Sequence, residues 1–210
     1  MDESLLRQQM KVRHGAYLPH WTRQGATYHV VFRLADSLPA HVVAQFRAER
    51  EALRTDAIRA GKTAADVAER LRVLFSERME SVLDQGQGAC WLALEPLALG
   101  VSEALRHFDG VRYSLHAWCV MPNHVHVVVQ PKPGHELPAI LKSWKGFTAL
   151  QANRHLGREG DFWQPEYYDH LIRDGSEMAA TIRYIQNNPI KAKLTNWRWF
   201  WPDVARVSDP

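Results

Sequence analysis

Short β-branched runs alternate along this chain with longer stretches in which apolar residues recur at helical spacing. The segment "TYHVVFRL" (residues 27–34) predicts a strand, and "DSLPA" after it is typical of a helix start. Apolar residues between positions 63 and 85 then follow the helical period, with charged residues on the other face. The runs "VRYSLHAWCVM" and "HVHVVVQ", joined at "MPN", predict an antiparallel hairpin.

The remaining segments predict two helices and one strand. Residues 137–157 predict a helix, "EYYDHLIRD" a strand, and "SEMAATIRYIQNNP" a helix that Ser176 caps and Pro189 ends. The order approaches β-α-β-β-α-β with one further helix. We therefore predict an α+β fold: a ferredoxin-like antiparallel sheet with helices on one face, a C-terminal helix, and a helical insertion after the first strand.

The predicted organisation is one domain, residues 1–210, with the insertion at about 50–90 and an aromatic tail at about 195–210. Residues 1–26 are polar and interrupted by Gly and Pro, which predicts irregular structure. The charged face of the insertion, which includes Arg78 and Glu80, predicts a solvated helix surface.

Composition adds little to this picture. The net charge is +3, and the excess lies in residues 111–210, which by itself is a weak indication of a polyanionic partner. Two cysteines make no disulfide framework, and neither an 18-residue apolar run nor a signal-peptide pattern occurs. These features predict a cytoplasmic protein without a membrane partner.

Two histidines in the strand-like segment "HVHVVVQ" are the first candidates for chemistry. His124 and His126 are two residues apart, so in a strand both imidazoles project from one face and suit one divalent ion. Simple polar alternation on an exposed strand face is the alternative. Three other metal or nucleotide motifs built on paired histidines require further residues that this sequence lacks.

The last predicted helix offers a phenol and an amide on one face. Tyr184 and Asn188 are four residues apart, so they lie one turn from each other. Tyr184 is a candidate nucleophile, and Asn188 a candidate oxygen ligand for Mg²⁺ or Mn²⁺. Gln186 or Asn187 could be the ligand instead, and a purely structural role for Tyr184 and Asn188 is the alternative.

Four segments in order, "AWCVMPNHVHVVVQP", "SWKGFTALQAN", "FWQPEYYDHLIRD" and "YIQNNPIKAKL", resemble the REP-associated tyrosine transposases, an IS200-like group of single-tyrosine HUH nucleases. The segment "YHVVFRLADSLP" resembles the first strand of that family. The insertion and the two ends fall outside the resemblance, and the tail "NWRWFWPDVARVSDP" departs from the family pattern.

The resemblance implies a role for each candidate residue. His124 and His126 would be metal ligands with Asn188 as the third, the metal being Mg²⁺ or Mn²⁺, and Tyr184 would be the nucleophile on a C-terminal catalytic helix. It would attack single-stranded DNA, form a 5′-phosphotyrosine and release a 3′-hydroxyl. The implied partner is hairpin DNA of the repetitive extragenic palindrome type, and the implied location is the cytoplasm, in association with the nucleoid.

Basic residues around these segments are candidates for contacts with the DNA backbone. They are Lys142, Lys145, Arg154, Arg173, Arg183, Lys191 and Lys193. The aromatic residues Trp144, Trp163, Tyr167 and Tyr168 could stack on unpaired bases, but each is more typical of a core.

Three functions remain open at this stage. The favoured one is a metal-dependent single-strand endonuclease and strand transferase. The others are a non-catalytic regulator that binds hairpin DNA or RNA and derives from a transposase, and a zinc hydrolase of small phosphoesters. The sequence leaves the hairpin, the choice between monomer and homodimer, and the role of the insertion open.

Overall fold

The computed structural model describes residues 11–14, 19–61 and 78–201 of the chain. Within these ranges, seven strands and four longer helices make up most of the regular structure. The strands are β1 (Lys11–His14), β2 (Pro19–Thr22), β3 (Tyr28–Arg33), β4 (Tyr113–Val120), β5 (His124–Pro131), β6 (Tyr168–Leu171) and β7 (Phe200–Trp201). The helices are α1 (Ala40–Arg59), α2 (Glu95–His107), α3 (Leu137–Leu156) and α4 (Gly175–Lys191). Residues 78–83 are also helical, and Trp91–Ala93 form a 3₁₀ turn.

Five strands form one antiparallel sheet in the order β6-β3-β5-β4-β7. Its first four strands have the spatial order that results when a β-α-β-β-α-β chain folds into a ferredoxin-like sheet. The hairpin of β4 and β5 turns at residues 121–123 and contains a register shift between Leu115 and Ala117. The predicted α+β class with an antiparallel sheet is therefore confirmed, but helices cover both faces of the sheet instead of one.

One face of the sheet packs against α2 and α3. Alternate residues of the central strands, Val30 and Phe32 in β3 and Val125 and Val127 in β5, join one buried apolar cluster with these helices. Trp144 of α3 belongs to this cluster, and its ring centroid lies 6.5 Å from that of Phe32. The two-residue period thus gives every second side chain of β3 and β5 to this core.

The other face of the sheet is also covered. Val31 packs with Phe46 of α1 and with Leu83 of the segment 78–83, and Ile185 of α4 packs over β4 and β5. Val128 is buried on this face. The face that carries the paired histidines is therefore an interior surface, and the alternative of an exposed polar strand face is wrong.

Three local predictions differ from the structure. Residues 11–14 and 19–22 pair as a two-stranded sheet instead of being irregular. Asp174, whose carboxylate accepts the amide N–H of Glu177, caps α4 in place of Ser176. Pro189 lies inside the last turn of α4, which continues to Lys191.

Residues 197–201 of the aromatic tail cover an edge of the sheet, and the rest of the predicted tail, residues 202–210, lies outside the described residues. Strand β7 pairs with β4, the amide of Val120 donates to the carbonyl of Trp199, and the indole of Trp197 donates to the carbonyl of Val120. These contacts occupy backbone groups of β4 that an edge strand would otherwise leave open. Within the described ranges, no helix is long and apolar enough to cross a bilayer.

Replacing Trp144 by alanine should lower the free energy of unfolding by about 3–5 kcal/mol, because the indole is buried and donates a hydrogen bond to the hydroxyl of Tyr113. The matched control is Phe147→Ala on the same helix, where the ring is 51% exposed and the loss should stay near 0.5 kcal/mol. Urea unfolding, followed by far-ultraviolet circular dichroism, would measure the unfolding free energies of both variants. Equal losses would contradict the placement of Trp144 in the core.

Candidate active site

The paired histidines lie at the start of β5, beneath α4. His124 and His126 project from the same face, and their side chains are 1% and 0% exposed. In the sheet, His126 stands between Val31 of β3 and Cys119 of β4. The Nε2 atoms of the two imidazoles are 2.9 Å apart. The two-residue spacing of the histidines in β5 therefore brings two imidazole nitrogens together in the protein interior.

Asn123 fixes the tautomer of His124. The amide nitrogen of Asn123 donates to the carbonyls of Leu83 and Gln87, at 3.1 Å each, so its Oδ1 must be the atom 2.7 Å from Nδ1 of His124. That oxygen only accepts, and Nδ1 of His124 therefore carries the proton. The Nε2 atom of His124 keeps a lone pair that points at His126.

A third histidine, His29 of β3, completes the cluster. Its Nε2 lies 3.2 Å from Nδ1 of His126, and the two rings stack with centroids 5.4 Å apart. A proton or a cation must lie between the facing Nε2 atoms of His124 and His126, because two lone pairs would repel at that distance. With a proton there, His29 donates to His126 and His126 donates to His124, so all three rings stay neutral.

Burial keeps these imidazoles uncharged. It lowers the pKa of His29 and of His124 to about 3, and it lowers the pKa of His126 well below the usual range. At neutral pH the rings therefore retain the lone pairs that a metal ligand needs.

Helix α4 brings Tyr184 to the histidines. The ring centroid of Tyr184 is 5.7 Å from that of His126 and 6.2 Å from that of His29, both in edge-on geometry. The ammonium of Lys191 lies 4.7 Å from the centre of the phenol ring. The phenol and the histidine pair, which are about sixty residues apart in sequence, therefore share one site.

Burial raises the pKa of Tyr184 above its usual value, and the carboxylates of Glu80 and Asp84 raise it further, while the amide of Asn188 acts in the opposite direction. Tyr184 is thus held as a neutral phenol at neutral pH.

Asn188 is buried one turn after Tyr184, with 1% of its surface exposed. Neither its amide oxygen nor its amide nitrogen forms a hydrogen bond of ordinary geometry within the described part of the chain. A buried amide without such partners costs free energy unless it has a ligand. Of the three candidate amides, Asn187 is exposed and Gln186 is half-buried.

The donor set fits a hard divalent ion if Asn188 is included. Two nitrogen ligands about 2.1 Å from one ion lie roughly 3.0–3.4 Å apart, close to the Nε2 separation of His124 and His126. Among the described residues, no three His, Cys, Asp or Glu side chains are arranged to hold a metal. His29 faces the opposite ring nitrogen of His126, which suits it to orient that ligand instead of binding the ion.

The predicted basic residues divide between the two faces of the molecule. Arg183, Lys191 and Lys193 are exposed on or just after α4, and Arg173 is exposed just before it. Lys142, Lys145 and Arg154 lie on α3, which packs on the other face of the sheet. The ammonium of Lys145 donates to the carbonyls of Gln164 and Pro165, which gives it a structural contact.

The predicted stacking aromatics are core residues or lie beside the core. Trp144, Trp163 and Tyr168 are buried, and Tyr167 packs against the cluster on the α2 and α3 side. Their more ordinary interpretation as packing residues therefore agrees with the structure.

Three residues of the site had not been singled out from the sequence as members of it. They are His29, Asn123 and Glu80. A polar residue in the apolar strand "YHVVFR" was a signal for His29, since it shares the face of Val31. Asn123 directly precedes His124 in the turn of the hairpin, but no sequence pattern connects Glu80 to Tyr184.

A family model described as "Transposase IS200 like" matches residues 103–188. That segment runs from α2 to Asn188 and includes both paired histidines and Tyr184. It contains the hairpin, α3, β6 and most of α4, and it leaves out β3, α1 and the segment 78–84.

Two curated relatives and one solved structure are similar to this chain. A REP-associated tyrosine transposase of Escherichia coli is 27% identical over 100 residues, which cover 45% of this chain and 58% of that protein. A Haemophilus influenzae protein provisionally given the same name is 29% identical over 96 residues, or 41% and 54%. The structure of a REP-associated tyrosine transposase bound to a REP hairpin has a TM-score of 0.44 and 16% identity, covering 90% of this chain and 76% of that one.

The chain spans little more than half the length of the curated relatives that it matches. The matched segment nevertheless contains the hairpin with both histidines and the helix with Tyr184, where the sequence resemblance was placed. Residues 103–188 of this chain are thus similar in sequence to the IS200-like transposases.

Proposed function

We propose that this protein is a metal-dependent single-stranded DNA endonuclease and strand transferase that acts on hairpin DNA through Tyr184. The observation that supports this most is the meeting of the phenol with a buried pair of neutral imidazoles whose Nε2 atoms are 2.9 Å apart. The curated relatives named REP-associated transposases support a palindromic hairpin as the substrate class.

Each residue of the site has a separate role in the proposed reaction. His124, His126 and Asn188 would hold Mg²⁺ or Mn²⁺, which when bound would neutralise charge on the scissile phosphate. Asn123 and His29 orient the two imidazoles through their other ring nitrogens. Tyr184 would form a bond to phosphorus as the bond from phosphorus to the 3′ oxygen breaks, giving a 5′-phosphotyrosine and a 3′-hydroxyl.

The exposed basic residues of α4 suit contact with the DNA backbone beside the nucleophile. Arg183 precedes Tyr184 directly on the helix, and Lys191 and Lys193 lie at and just after its C-terminal end. We propose that these three position the scissile strand, while the basic residues of α3 contact more distant phosphates if they contact DNA at all.

The test is incubation with labelled single-stranded hairpins taken from the flanks of its own gene, in Mg²⁺ or in EDTA. The proposal predicts a covalent protein–DNA species on a denaturing gel that requires the metal. Binding without an adduct in Mg²⁺ and Mn²⁺ would favour a non-catalytic hairpin regulator, and cleavage without an adduct would favour a phosphoester hydrolase.

Replacing Asn188 by leucine should abolish Mn²⁺-dependent adduct formation and yet leave the free energy of unfolding equal or raise it by about 1 kcal/mol. The reason is that leucine of similar volume removes a buried amide without ordinary hydrogen bonds. The control Asn187→Leu, at an exposed neighbouring position, should leave adduct formation intact. Loss of adduct in Asn187→Leu and not in Asn188→Leu would show that the wrong amide had been chosen.

A further inference from the structure

His170 and Glu177 form a contact between the edge strand β6 and helix α4. Nε2 of His170 lies 2.6 Å from Oε1 of Glu177, and the two side chains are 11% and 30% exposed. A carboxylate can only accept, so Nε2 of His170 is the donor whether its ring is neutral or protonated. The second oxygen of Glu177 accepts the amide N–H of Arg173 at 2.7 Å. Glu177 is thus hydrogen-bonded to the strand and to the segment that joins the strand to the helix.

His170 belongs to the same row of side chains as the candidate active site. It is paired with His29 across β6 and β3, so both imidazoles project from one face of the sheet. Nε2 of His29 in turn lies 3.2 Å from Nδ1 of His126 in β5. A line of three histidines therefore runs across three neighbouring strands beneath α4.

The spacing along α4 matches the spacing of these strands. Glu177 and Tyr184 share one face of the helix, because seven residues make nearly two turns and advance about 10.5 Å along the axis. The two strand spacings from β6 across β3 to β5 amount to about 9.6 Å. A helix with Glu177 above β6 therefore carries its phenol to β5, where the ring centroid of Tyr184 lies 5.7 Å from that of His126.

Apolar side chains hold the middle of α4 on the sheet. Ile185 and Ile182 pack in one cluster with Val128 of β5. Hydrophobic attraction has no preferred direction, whereas a hydrogen bond weakens steeply when its distance or angle changes. The bond between His170 and Glu177 is therefore suited to fix the position of the helix along its own axis.

We propose that Glu177 and His170 are positioning residues, which set the place of Tyr184 over the histidines and thereby the rate of its attack on DNA. The inference rests on the proposed function, because Tyr184 is the proposed nucleophile. The contact lies two helical turns from the phenol, so the pair acts through α4. A displacement of about 1 Å at a reacting atom can slow a reaction about 100-fold, so loss of this bond should be visible in the rate.

The experiment compares wild type with two variants of His170. His170→Phe keeps a ring but removes the donor, and His170→Gln has an amide nitrogen that can donate in place of Nε2. Single-turnover adduct formation with saturating hairpin DNA and Mn²⁺ should be about 10- to 100-fold slower in His170→Phe. His170→Gln should react at nearly the wild-type rate. The hairpin affinity of both variants should match that of wild type, because His170 is mostly buried beneath α4.

A double variant shows whether the two residues act through their contact. Glu177→Met removes the acceptor and nearly preserves the length of the side chain. The double variant His170→Phe/Glu177→Met should form the adduct no more slowly than the slower of the two single variants, because both changes remove the same interaction. Multiplication of the two single-variant defects would overturn the inference.

Hydrogen exchange of the same proteins tests the contact without DNA. His170→Phe should speed exchange of the amides of residues 179–185 in α4 at least about tenfold and leave those of α3 unchanged, and His170→Gln should restore the wild-type rates. Equal acceleration in α3, or wild-type exchange or wild-type adduct formation in His170→Phe, would each overturn the inference. Absence of an adduct in the wild-type protein, together with the expected exchange pattern, would instead overturn the proposed function.

Discussion

Tyr184→Phe should form no covalent adduct with hairpin DNA, a loss on the order of 10⁴-fold or more, because the phenol oxygen is the atom that would bond to phosphorus. Hairpin affinity should stay within about threefold of wild type. The change removes one hydroxyl from a half-buried side chain, so we expect the unfolding free energy to fall by about 1 kcal/mol or less. Denaturing gels and fluorescence anisotropy would measure the adduct and the affinity.

Tyr167→Phe is the matched control. Tyr167 is close in sequence to the site, but it packs against the cluster on the α2 and α3 side of the sheet. Its variant should form the adduct at the wild-type rate. If Tyr184→Phe still forms an adduct, or if Tyr167→Phe loses it, the nucleophile has been assigned to the wrong helix.

His126→Ala and His124→Ala should each lower the affinity for Mn²⁺. The decrease should exceed the roughly 10–100-fold loss that follows when a residue supporting a metal ligand is removed. Each removes one of the two nitrogens that face each other at 2.9 Å, and His126 also orders His29. Adduct formation should fall below detection. Calorimetric titration with Mn²⁺ measures the affinity, and the rise in melting temperature on adding Mn²⁺ provides a readout that is independent of activity.

The control for both variants is His155→Ala, since His155 is exposed on α3 at the other face of the sheet. This variant should bind Mn²⁺ with the affinity of wild type, and its melting temperature should rise by the same amount when Mn²⁺ is added. The two site variants should remain folded, with a loss of about 1–3 kcal/mol from the partners left in the buried cluster. Normal Mn²⁺ stabilisation in folded His126→Ala would contradict the metal assignment.

Much of the fold could be predicted from local sequence patterns, because its main elements follow the apolar periodicity of helices and strands. The alternation in "HVHVVVQ" predicted that His124 and His126 share a face, and the four-residue spacing predicted the same for Tyr184 and Asn188. Both pairs lie on single elements, where sequence spacing and spatial direction are directly related.

Residues that reach the site across the fold could not be predicted in the same way. His29 faces His126 because β3 pairs with β5 in one register, and no local pattern specifies that register. The charge of Glu80 acts on Tyr184 from the segment 78–84, about a hundred residues earlier in the chain, which the packing of Leu83 and the hydrogen bonds of Asn123 hold on the sheet. On its own helix, Glu80 looks like one more charged surface residue.

Which oxygen of the protein becomes bonded to DNA is the central question. Tandem mass spectrometry of the proteolysed adduct, formed with hairpin DNA in Mn²⁺, would locate the nucleotide on a single side chain. We predict a phosphodiester on Tyr184, in the peptide that begins after Arg183, with the free 3′-hydroxyl on the released strand. A nucleotide attached to any other residue, or a cleaved strand with no attached protein, would contradict the account.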